Sequence, residues 1–547
     1  DGTGTVTTGA NGTITGTAAS TSSATAAATD ADTAVAATVN NDLVSGIDLT
    51  TITTGANAAV TATAVSGQTA TASNVGDLTV DTSTVTATVG TTDAVTGLDS
   101  TTLNVGGDLT KLSVGAQLTA AATASNVNAT GASTAESGLG SDVIGIDASP
   151  LNLGGSATAG IRSDAISNLT ATATGVAGAA DADAGDTDAS VIGINSSDLT
   201  VGGSANTTAV AASTLNATAS STIGAATADA FQEGDGILNS AIAIGNDGNI
   251  TGQTTLVGTA AATTVGATGA ADNATANLDL LSSGIDQGAG DSIVIGDTGN
   301  VTGNGFASGS AMAQTTVGNA AADGDVQVQG IDLIGDAATD ITINGAGNIP
   351  GLAVIGTLTA GGTLGNQVTV TAATTDGTAG ATGNFDGAGI VGFDGGTVLT
   401  AGPSDGDVSG QVIAGGSVVA SNTGNATGDT AIAQNLDSKI FGLQNVDIIA
   451  GQFGTNLVRG TSLGDFDVTA TSVGGNATGE SNVDAFGIFD TTNNGSISVN
   501  GGVTAIAQLS NTVTATSVAG NAIATASSDA VGLSGYSVSI IGSGSLN

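Results

Sequence analysis

The 547-residue chain contains no cysteine, no histidine and no tryptophan. Without cysteine it can form neither a disulfide framework nor a thiolate metal site. Without histidine or cysteine, the usual pairs of a nucleophile and its base are missing as well. Paired carboxylates could still hydrolyse glycosides, but the basic and aromatic side chains that bind sugars are almost absent. The sequence therefore predicts a protein that is not an enzyme and uses no organic cofactor.

Positive charge is almost missing too. Four basic residues (Lys111, Arg162, Lys439 and Arg459) stand against 47 acidic ones, and the formal net charge is −43. Nucleic-acid binding and attraction to anionic membranes both require basic patches, and no apolar run reaches the roughly 18 residues of a membrane span. We therefore expect no nucleic-acid partner and no membrane span. Self-repulsion at this charge favours a salty or divalent-rich environment.

Large apolar side chains are also few, with nine Phe, one Tyr and one Met against 87 Gly. Hydrophobic residues nevertheless make up 40% of the chain, whereas disordered chains are depleted in them. We therefore expect an ordered chain with a thin core of Ala, Val, Ile and Thr. Every Phe lies at Phe231 or beyond, which predicts a thicker core toward the C-terminal part.

Internal repetition is the strongest positive signal. A glycine followed by Ile, Leu or Phe, and usually then by Asp or Asn, recurs about every 49 residues along the whole chain. These first anchors begin at Gly46, Gly97, Gly145, Gly193, Gly236, Gly284, Gly330, Gly392, Gly442, Gly487 and Gly532.

A second anchor follows each first anchor, as a short aliphatic or β-branched run ending in glycine. These runs end near Gly9, Gly55, Gly106, Gly154, Gly202, Gly245, Gly296, Gly345, Gly402, Gly451, Gly501 and Gly542. The three prolines, Pro150, Pro350 and Pro403, all lie close to a second anchor, and proline cannot donate to a sheet ladder. We therefore place a corner there, and expect glycine in general to supply corners.

Between the anchors the chain alternates with a period of two, as in Thr512-Val513-Thr514-Ala515-Thr516, which is the period of a β-strand with one buried face. Short strands at a fixed period are typical of a solenoid. The sequence predicts an all-β parallel β-solenoid (β-helix), a single continuous array over residues 1–547. It would have about eleven repeats of about 49 residues around a flat Ala/Thr/Val-rich core.

Two points stay open at this level. A propeller or an array of β-sandwiches could also use such repeats, although propellers rarely exceed eight blades. Each repeat could form one wide coil or two narrow ones. The halves of a repeat are not similar to each other, which favours one wide coil.

The Thr/Ala/Gly/Asx repeats, the absence of cysteine and the acidity resemble those of bacterial secreted β-solenoid surface proteins. These include filament-forming, adhesin-passenger and S-layer-like repeat proteins. The resemblance covers the whole chain but rests on no specific motif. It implies an extracellular, cell-surface location, in keeping with a chain that begins at Asp1 rather than at Met, as a mature exported product would.

Two sets of acidic residues are candidate cation sites. Asp181, Asp183, Asp186 and Asp188 are close together in sequence and resemble a calcium loop, or else form a flexible acidic turn. A second set recurs at the first anchors and consists of Asp48, Asp99, Asp147, Asn195, Asp286, Asp332 and Asp394. Unit charges stacked about 4.8 Å apart repel by roughly 0.9 kcal/mol in water. Such a ladder needs solvent exposure, neutral breaks such as Asn195 and Gln444, or bridging calcium.

The two ends of the chain lie at the same phase of the repeat and show no cap, which predicts head-to-tail homopolymers. Val6, Thr8, Val538 and Ile540 are the candidate polymer contacts. The predicted function is a structural subunit of an extracellular filament or surface layer. A rigid adhesin stalk is the alternative.

A lesser alternative is ice binding, based on Thr-X-Thr runs such as Thr512-Val513-Thr514, which do not follow one regular rank in the sequence. Sequons such as Asn11 and Asn300 would permit glycan attachment.

Overall fold

A computed structural model describes residues 4–29, 33–40, 43–75, 84–91, 94–127, 131–140, 142–186, 189–266, 272–288, 291–333, 340–357, 367–392, 397–401, 405–451, 456–541 and 544–547. Within these ranges the chain forms 39 β-strands and no helix. The strands pair in parallel with their equivalents in the neighbouring repeats and build three sheets. The predicted parallel β-solenoid is therefore confirmed.

Sheet A is the short sheet, with twelve strands. Its strands are β1 (Gly4–Thr8), β5 (Thr50–Thr54), β9 (Thr102–Val105), β13 (Leu151–Leu153), β17 (Leu199–Val201), β20 (Ile242–Ile244), β23 (Ile293–Ile295), β26 (Ile341–Ile343), β30 (Val398–Ala401), β33 (Asp447–Ala450), β36 (Gly495–Val499) and β39 (Tyr536–Ile540).

Sheet B is the first of two wide sheets. Its strands are β2 (Thr13–Ala28), β6 (Ala58–Asn74), β10 (Leu109–Asn126), β14 (Ala157–Gly175), β18 (Ala205–Ser221), β21 (Gly248–Thr264), β24 (Gly299–Val317), β27 (Gly347–Ile355), β28 (Val368–Asp376), β31 (Val408–Asn422), β34 (Asn456–Ser472) and β37 (Gly501–Ser517). Both β27 and β28 pair with β24 and β31, so they belong to one coil.

Sheet C is the second wide sheet. Its strands are β3 (Thr33–Asn40), β4 (Val44–Asp48), β7 (Thr84–Thr91), β8 (Val95–Asp99), β11 (Ala132–Leu139), β12 (Val143–Asp147), β15 (Ala180–Ala184), β16 (Ser190–Asn195), β19 (Ala226–Leu238), β22 (Ala274–Asp286), β25 (Ala320–Leu333), β29 (Thr378–Gly392), β32 (Thr430–Gln444), β35 (Ala477–Phe489) and β38 (Ala522–Ser534). The first four coils contribute two strands each to this sheet.

Each repeat forms one wide coil that passes through sheets A, B and C in turn. Stacked partners are accordingly a whole repeat apart in sequence. The Thr101 amide, for example, donates to Ser149 Oγ, 48 residues further on. Eleven such coils are followed by β39, which is an extra strand on sheet A.

The second-anchor glycines follow the sheet A strands, at the corner that leads to sheet B; Gly402 and Gly542 lie outside the described residues. The first anchors lie near the C-terminal ends of the sheet C strands. The position of one first anchor differs from the position predicted from the sequence repeats. Ile331 pairs with Ile390, so Gly389 and not Gly392 is the equivalent glycine, because this repeat is longer than its neighbours.

The first-anchor glycines lie inside the strands of sheet C rather than at corners, contrary to expectation. We call them the pinch glycines: Gly46, Gly97, Gly145, Gly193, Gly236, Gly284, Gly330, Gly389, Gly442, Gly487 and Gly532. A Cβ on Gly284 would lie 2.1 Å from the Asn304 amide nitrogen in sheet B and 2.6 Å from the carbonyl oxygen of Gly330. Glycine is needed here because two sheet backbones touch.

This contact divides the interior into two cores. The larger core, between sheets B and C, is flat and consists mostly of Ala with some Val and Leu. The second core is enclosed by sheet A and the adjoining ends of sheets B and C, and is rich in Ile, Leu and Val. The predicted core was flat and rich in Ala, Thr and Val. Its Ala and Val are found there, but most threonines of the wide strands, as in β6 and β10, lie on the outer face, and the second compartment was not predicted.

Two phenylalanines of the C-terminal half enter the flat core. Phe385 and Phe466 are fully buried, and their ring centroids are 6.1 Å apart. A Cβ on Gly416 would lie 2.2 Å from Phe385 Cε2. Glycine beside the ring thus makes room for it within the flat core.

Candidate functional site

The first and last of the described coils leave inward-facing residues half-exposed. At the first coil, inward-facing alanines of β2, such as Ala24 and Ala26, pack against the flat core but are only half-buried. At the last coil the same is true of Leu509 and Val513 in β37. Elsewhere in the array, equivalent positions are fully buried. Each terminal coil therefore leaves apolar rungs half-exposed. At the last coil the start of β37 is covered, because the backbone amides of Val503 and Ala505 donate to the carbonyl oxygens of Ser545 and Asn547.

The four candidate polymer contacts lie on the two edge strands of sheet A. Val6 and Thr8 are in β1, and Val538 and Ile540 are in β39. Val6 is 39% exposed, and Val538 and Ile540 are half-buried. Sheet A has one strand more than the number of coils in sheets B and C. A junction that continues the wide sheets without a gap would therefore have room for only one of β1 and β39.

A column of carboxylates runs across the outer face of sheet C. Glu136 is in register with Asp183, Asp183 with Asp229, and Asp229 with Asn277. Carboxylate oxygens of Asp181, Asp183 and Asp229 lie within 4.8 Å of one another. These are hard oxygen ligands of the kind that calcium takes.

The acidic cluster thus contains different residues from the predicted calcium site. Asp181 and Asp183 come together with Asp229 of the next coil. Asp186 lies beyond the strand, where its Oδ2 accepts a hydrogen bond from the Gly140 amide at 3.3 Å, and Asp188 lies outside the described residues. Asp229 was missed, although it follows Asp183 at about the repeat spacing.

Burial and mutual repulsion both act on this cluster. Desolvation, reinforced by Asp181, Asp229 and Glu136, raises the pKa of Asp183 to about 7. Desolvation also raises the pKa of Asp229, against the effect of Asn277, whose Nδ2 donates to Asp229 Oδ1 at 2.7 Å. Either protons or a cation would relieve this repulsion.

Two further columns of stacked residues meet on the outer face of sheet C, beside the pinch glycines. The first contains the residue before each pinch glycine, and the second contains the residue two positions after it. In coil ten these are Phe486 and Phe489, whose ring centroids are only 4.4 Å apart. Residues three apart on a straight strand point to opposite faces, so the strand bends here. We call the furrow between the two columns the pinch groove.

The Asp ladder expected from the first anchors is the second column of this groove. Asp48, Asp99, Asp147 and Asn195 stack in register, and Asn195 Nδ2 donates to Asp147 Oδ1 at 2.9 Å. Leu238 then interrupts the ladder.

The ladder resumes at Asp286 and Asp332, and Val391 and then Gln444 occupy the next two places. Asp394 lies outside the described residues and Val391 fills the position expected for it. The ladder is thus a set of short acidic stretches with neutral breaks.

An asparagine ladder crosses the corner between sheets A and B. The amides of Asn249 and Asn300 donate to Oδ1 of Asn206 and Asn249, respectively. The amides of Asn348 and Asp407 continue the series in the same way. Asn206, Asn249 and Asn300 line an open groove of about 700 Å³. Because each side chain satisfies a backbone amide of the next coil, the ladder holds the coils in register.

The outer face of sheet B differs from that of sheet C in carrying little charge. The charged residues on its strands are Lys111, Arg162, Asp164, Asp376, Arg459, Asp465 and Asp467. The face also shows order that the sequence concealed. Thr25, Thr71, Thr123, Thr172 and Thr218 stack in register over five successive coils. Although the Thr-X-Thr runs are not confined to one rank in the sequence, this part of the sheet thus contains one regular rank of threonines.

No family model, curated protein or solved structure matches this chain. Within the ranges that the structure describes, no helix is long and apolar enough to cross a membrane.

Proposed function

We propose that the chain is a non-enzymatic structural subunit that stacks end on end into an extracellular filament or surface layer. The observation that carries this proposal is the half-exposure of flat-core residues in the first and last of the described coils. Open strand edges are templates for further pairing. A contact that repeats without closing gives fibres.

The size of the edges supports stacking. At the first coil, β2 has 16 residues and β3 has 8, so pairing with another coil would form on the order of twenty backbone hydrogen bonds. It would also bury the half-exposed alanines. The high negative charge opposes association, so stacking should require salt or divalent cations.

The geometry of the junction gives a sharp test. Ala26→Asp places a carboxylate on the inner side of the exposed rung, whereas Thr25→Asp places the same group on the outer face of the same strand. We expect Ala26→Asp to abolish fibres in electron micrographs, and Thr25→Asp to retain them with a cross-β repeat of about 4.8 Å. Parent chain that stays monomeric at high concentration in salt and calcium would overturn the proposal.

The surplus strand on sheet A gives a second test. Deletion of residues 536–547 removes β39 and leaves a single short strand, β1, for each junction. We expect this truncated chain to form fibres at least as fast as the parent chain. Loss of fibres on this truncation would mean that the wide sheets do not join directly.

A rigid stalk of a surface adhesin remains the alternative function, and it needs the same stiff solenoid but no self-association. A monomeric rod that is joined to a globular tip in the native material would favour it.

Ice binding is a second candidate, and the threonine rank on sheet B is the observation that favours it. Flat threonine arrays on solenoids are suited to ordered water. Thermal hysteresis and ice shaping by the purified chain, lost in a Thr71→Leu and Thr123→Leu double variant, would support it. An unaltered freezing point would exclude it.

A further inference from the structure

The pinch groove contains a deeply buried carboxylate that was not among the candidate cation ligands predicted from the sequence. Asp235 is 2% exposed, and its Oδ2 has no hydrogen-bond partner. It occupies the first groove column, in register with Ser283, which is followed by Gln329. A buried, unpartnered carboxylate oxygen is costly unless something neutralises it.

The surroundings of Asp235 are acidic rather than basic. Asp286 is the charged group that acts on it most strongly, followed by Glu233 and Asp332. The position of Asp286 agrees with the groove geometry, because Asp235 and Asp286 are placed as Phe441 and Phe489 are four coils further on. Those two rings have centroids 5.7 Å apart. No basic side chain is among the groups that act on Asp235 or Asp286.

Neutral oxygens complete the lining. Ser283 Oγ donates to Gln329 Oε1 at 3.0 Å, and both residues are buried. The groove at coils five to seven thus brings carboxylate, hydroxyl and amide oxygens together. Hard divalent cations prefer oxygen ligands, and calcium tolerates irregular sets of six to eight that include water.

We propose that Asp235 and Asp286 are the principal ligands of a calcium ion in the pinch groove, where Glu233 and Asp332 add to the negative potential that attracts a cation. The ion would join two successive coils through the outer face of the pinch. This site differs from the cluster of Asp181, Asp183 and Asp229, which is less buried. The inference does not depend on filament formation.

Burial and mutual repulsion act on both carboxyl groups of the proposed site. Desolvation, with Asp332 and Glu233, raises the pKa of Asp286 to about 7, and desolvation and Asp286 raise the pKa of Asp235 well above its ordinary value.

The experiment is a calcium titration of the chelator-treated full chain at pH 7.5, by calorimetry and by hydrogen exchange. Asp235→Asn tests the groove, and Asp183→Asn serves as the matched control in the less buried cluster of Asp181, Asp183 and Asp229. We expect calcium to slow amide exchange at least tenfold in residues 235–238 and 282–288 of the parent chain and the control. We expect Asp235→Asn to lose that protection together with one bound ion.

Two results would overturn the proposal. One is calcium binding by Asp235→Asn with unchanged stoichiometry and affinity. The other is the absence of calcium-dependent protection at coils five to seven in the parent chain. If Asp235→Asn does not fold, Asp286→Asn provides the same comparison from the half of the pair nearer to solvent.

Discussion

Substitution of a pinch glycine tests the most distinctive part of this fold. In Gly284→Ala, the new Cβ would lie 2.1 Å from the Asn304 nitrogen and 2.6 Å from the Gly330 carbonyl oxygen. Carbon needs more than 3 Å from such atoms, so sheets B and C must separate by about 1 Å at this coil. Overpacking of this kind costs about 1–3 kcal/mol. The loss of glycine entropy in the unfolded chain returns only about 0.4–1 kcal/mol.

Hydrogen exchange is the appropriate assay, because a repeat array does not unfold as one two-state unit. A local loss of 1–3 kcal/mol accelerates exchange by about 5- to 150-fold in residues 278–288 and 300–308. Gly115→Ala is the matched control, since nothing lies within 4 Å of its Cβ, and it should leave exchange unchanged or slightly slower. Equal exchange in the two variants would refute the idea that sheet contact requires these glycines.

Three further predictions concern the groove, the asparagine ladder and the core. Because the folded-state pKa of Asp286 is about 7 and that of an unfolded Asp is about 4, the folded state binds more protons between these values. Without calcium, the free energy of unfolding should therefore fall by up to about 4 kcal/mol as pH rises from 4 to 7. Urea unfolding followed by circular dichroism should show a flatter pH profile for Asp286→Asn than for the parent chain. An unchanged profile would contradict the raised pKa of Asp286. Asn300→Ala removes the acceptor of the Asn348 backbone amide and should accelerate hydrogen exchange of that amide. The loss of this hydrogen bond should lower the local stability by about 0.5–1.5 kcal/mol. Unchanged exchange of the Asn348 amide would mean that the asparagine ladder does not hold the coils in register. Phe466→Ala should destabilise its coils by about 3–5 kcal/mol, with increased protease cleavage confined to coils eight to ten; uniform cleavage along the chain would argue against local packing.

The repeat period and the alternation were sufficient to predict the parallel solenoid, because both report directly on strand stacking and on one buried face. Alignment of the repeats also placed Asp286 above Asp332 correctly. The alignment failed at Gly392, because the repeat before it is longer and a similar Gly-Phe-Asp sequence follows three residues after the true equivalent, Gly389.

The site was harder to predict than the fold. Glycine is expected at corners, and nothing in the local sequence distinguishes a corner glycine from Gly284, where two sheets touch. Without the resulting bend, Asp235 and Asp286 have no reason to approach each other. The spacing of Asp183 and Asp229 could have predicted that they stack in neighbouring coils, but only if the number of residues in one coil had been known.

The pinch also affects how such a chain could change in length. Hydrogen-bonded partners in neighbouring coils are 43 residues apart at Ser197 and Ser240, but 59 apart at Asn319 and Thr378. The pinch glycines stay aligned through both repeats, so insertions are accommodated elsewhere in the coil. Duplication or loss of one repeat in the gene would therefore change the rod by one coil, about 4.8 Å, while each remaining coil kept equivalent neighbours.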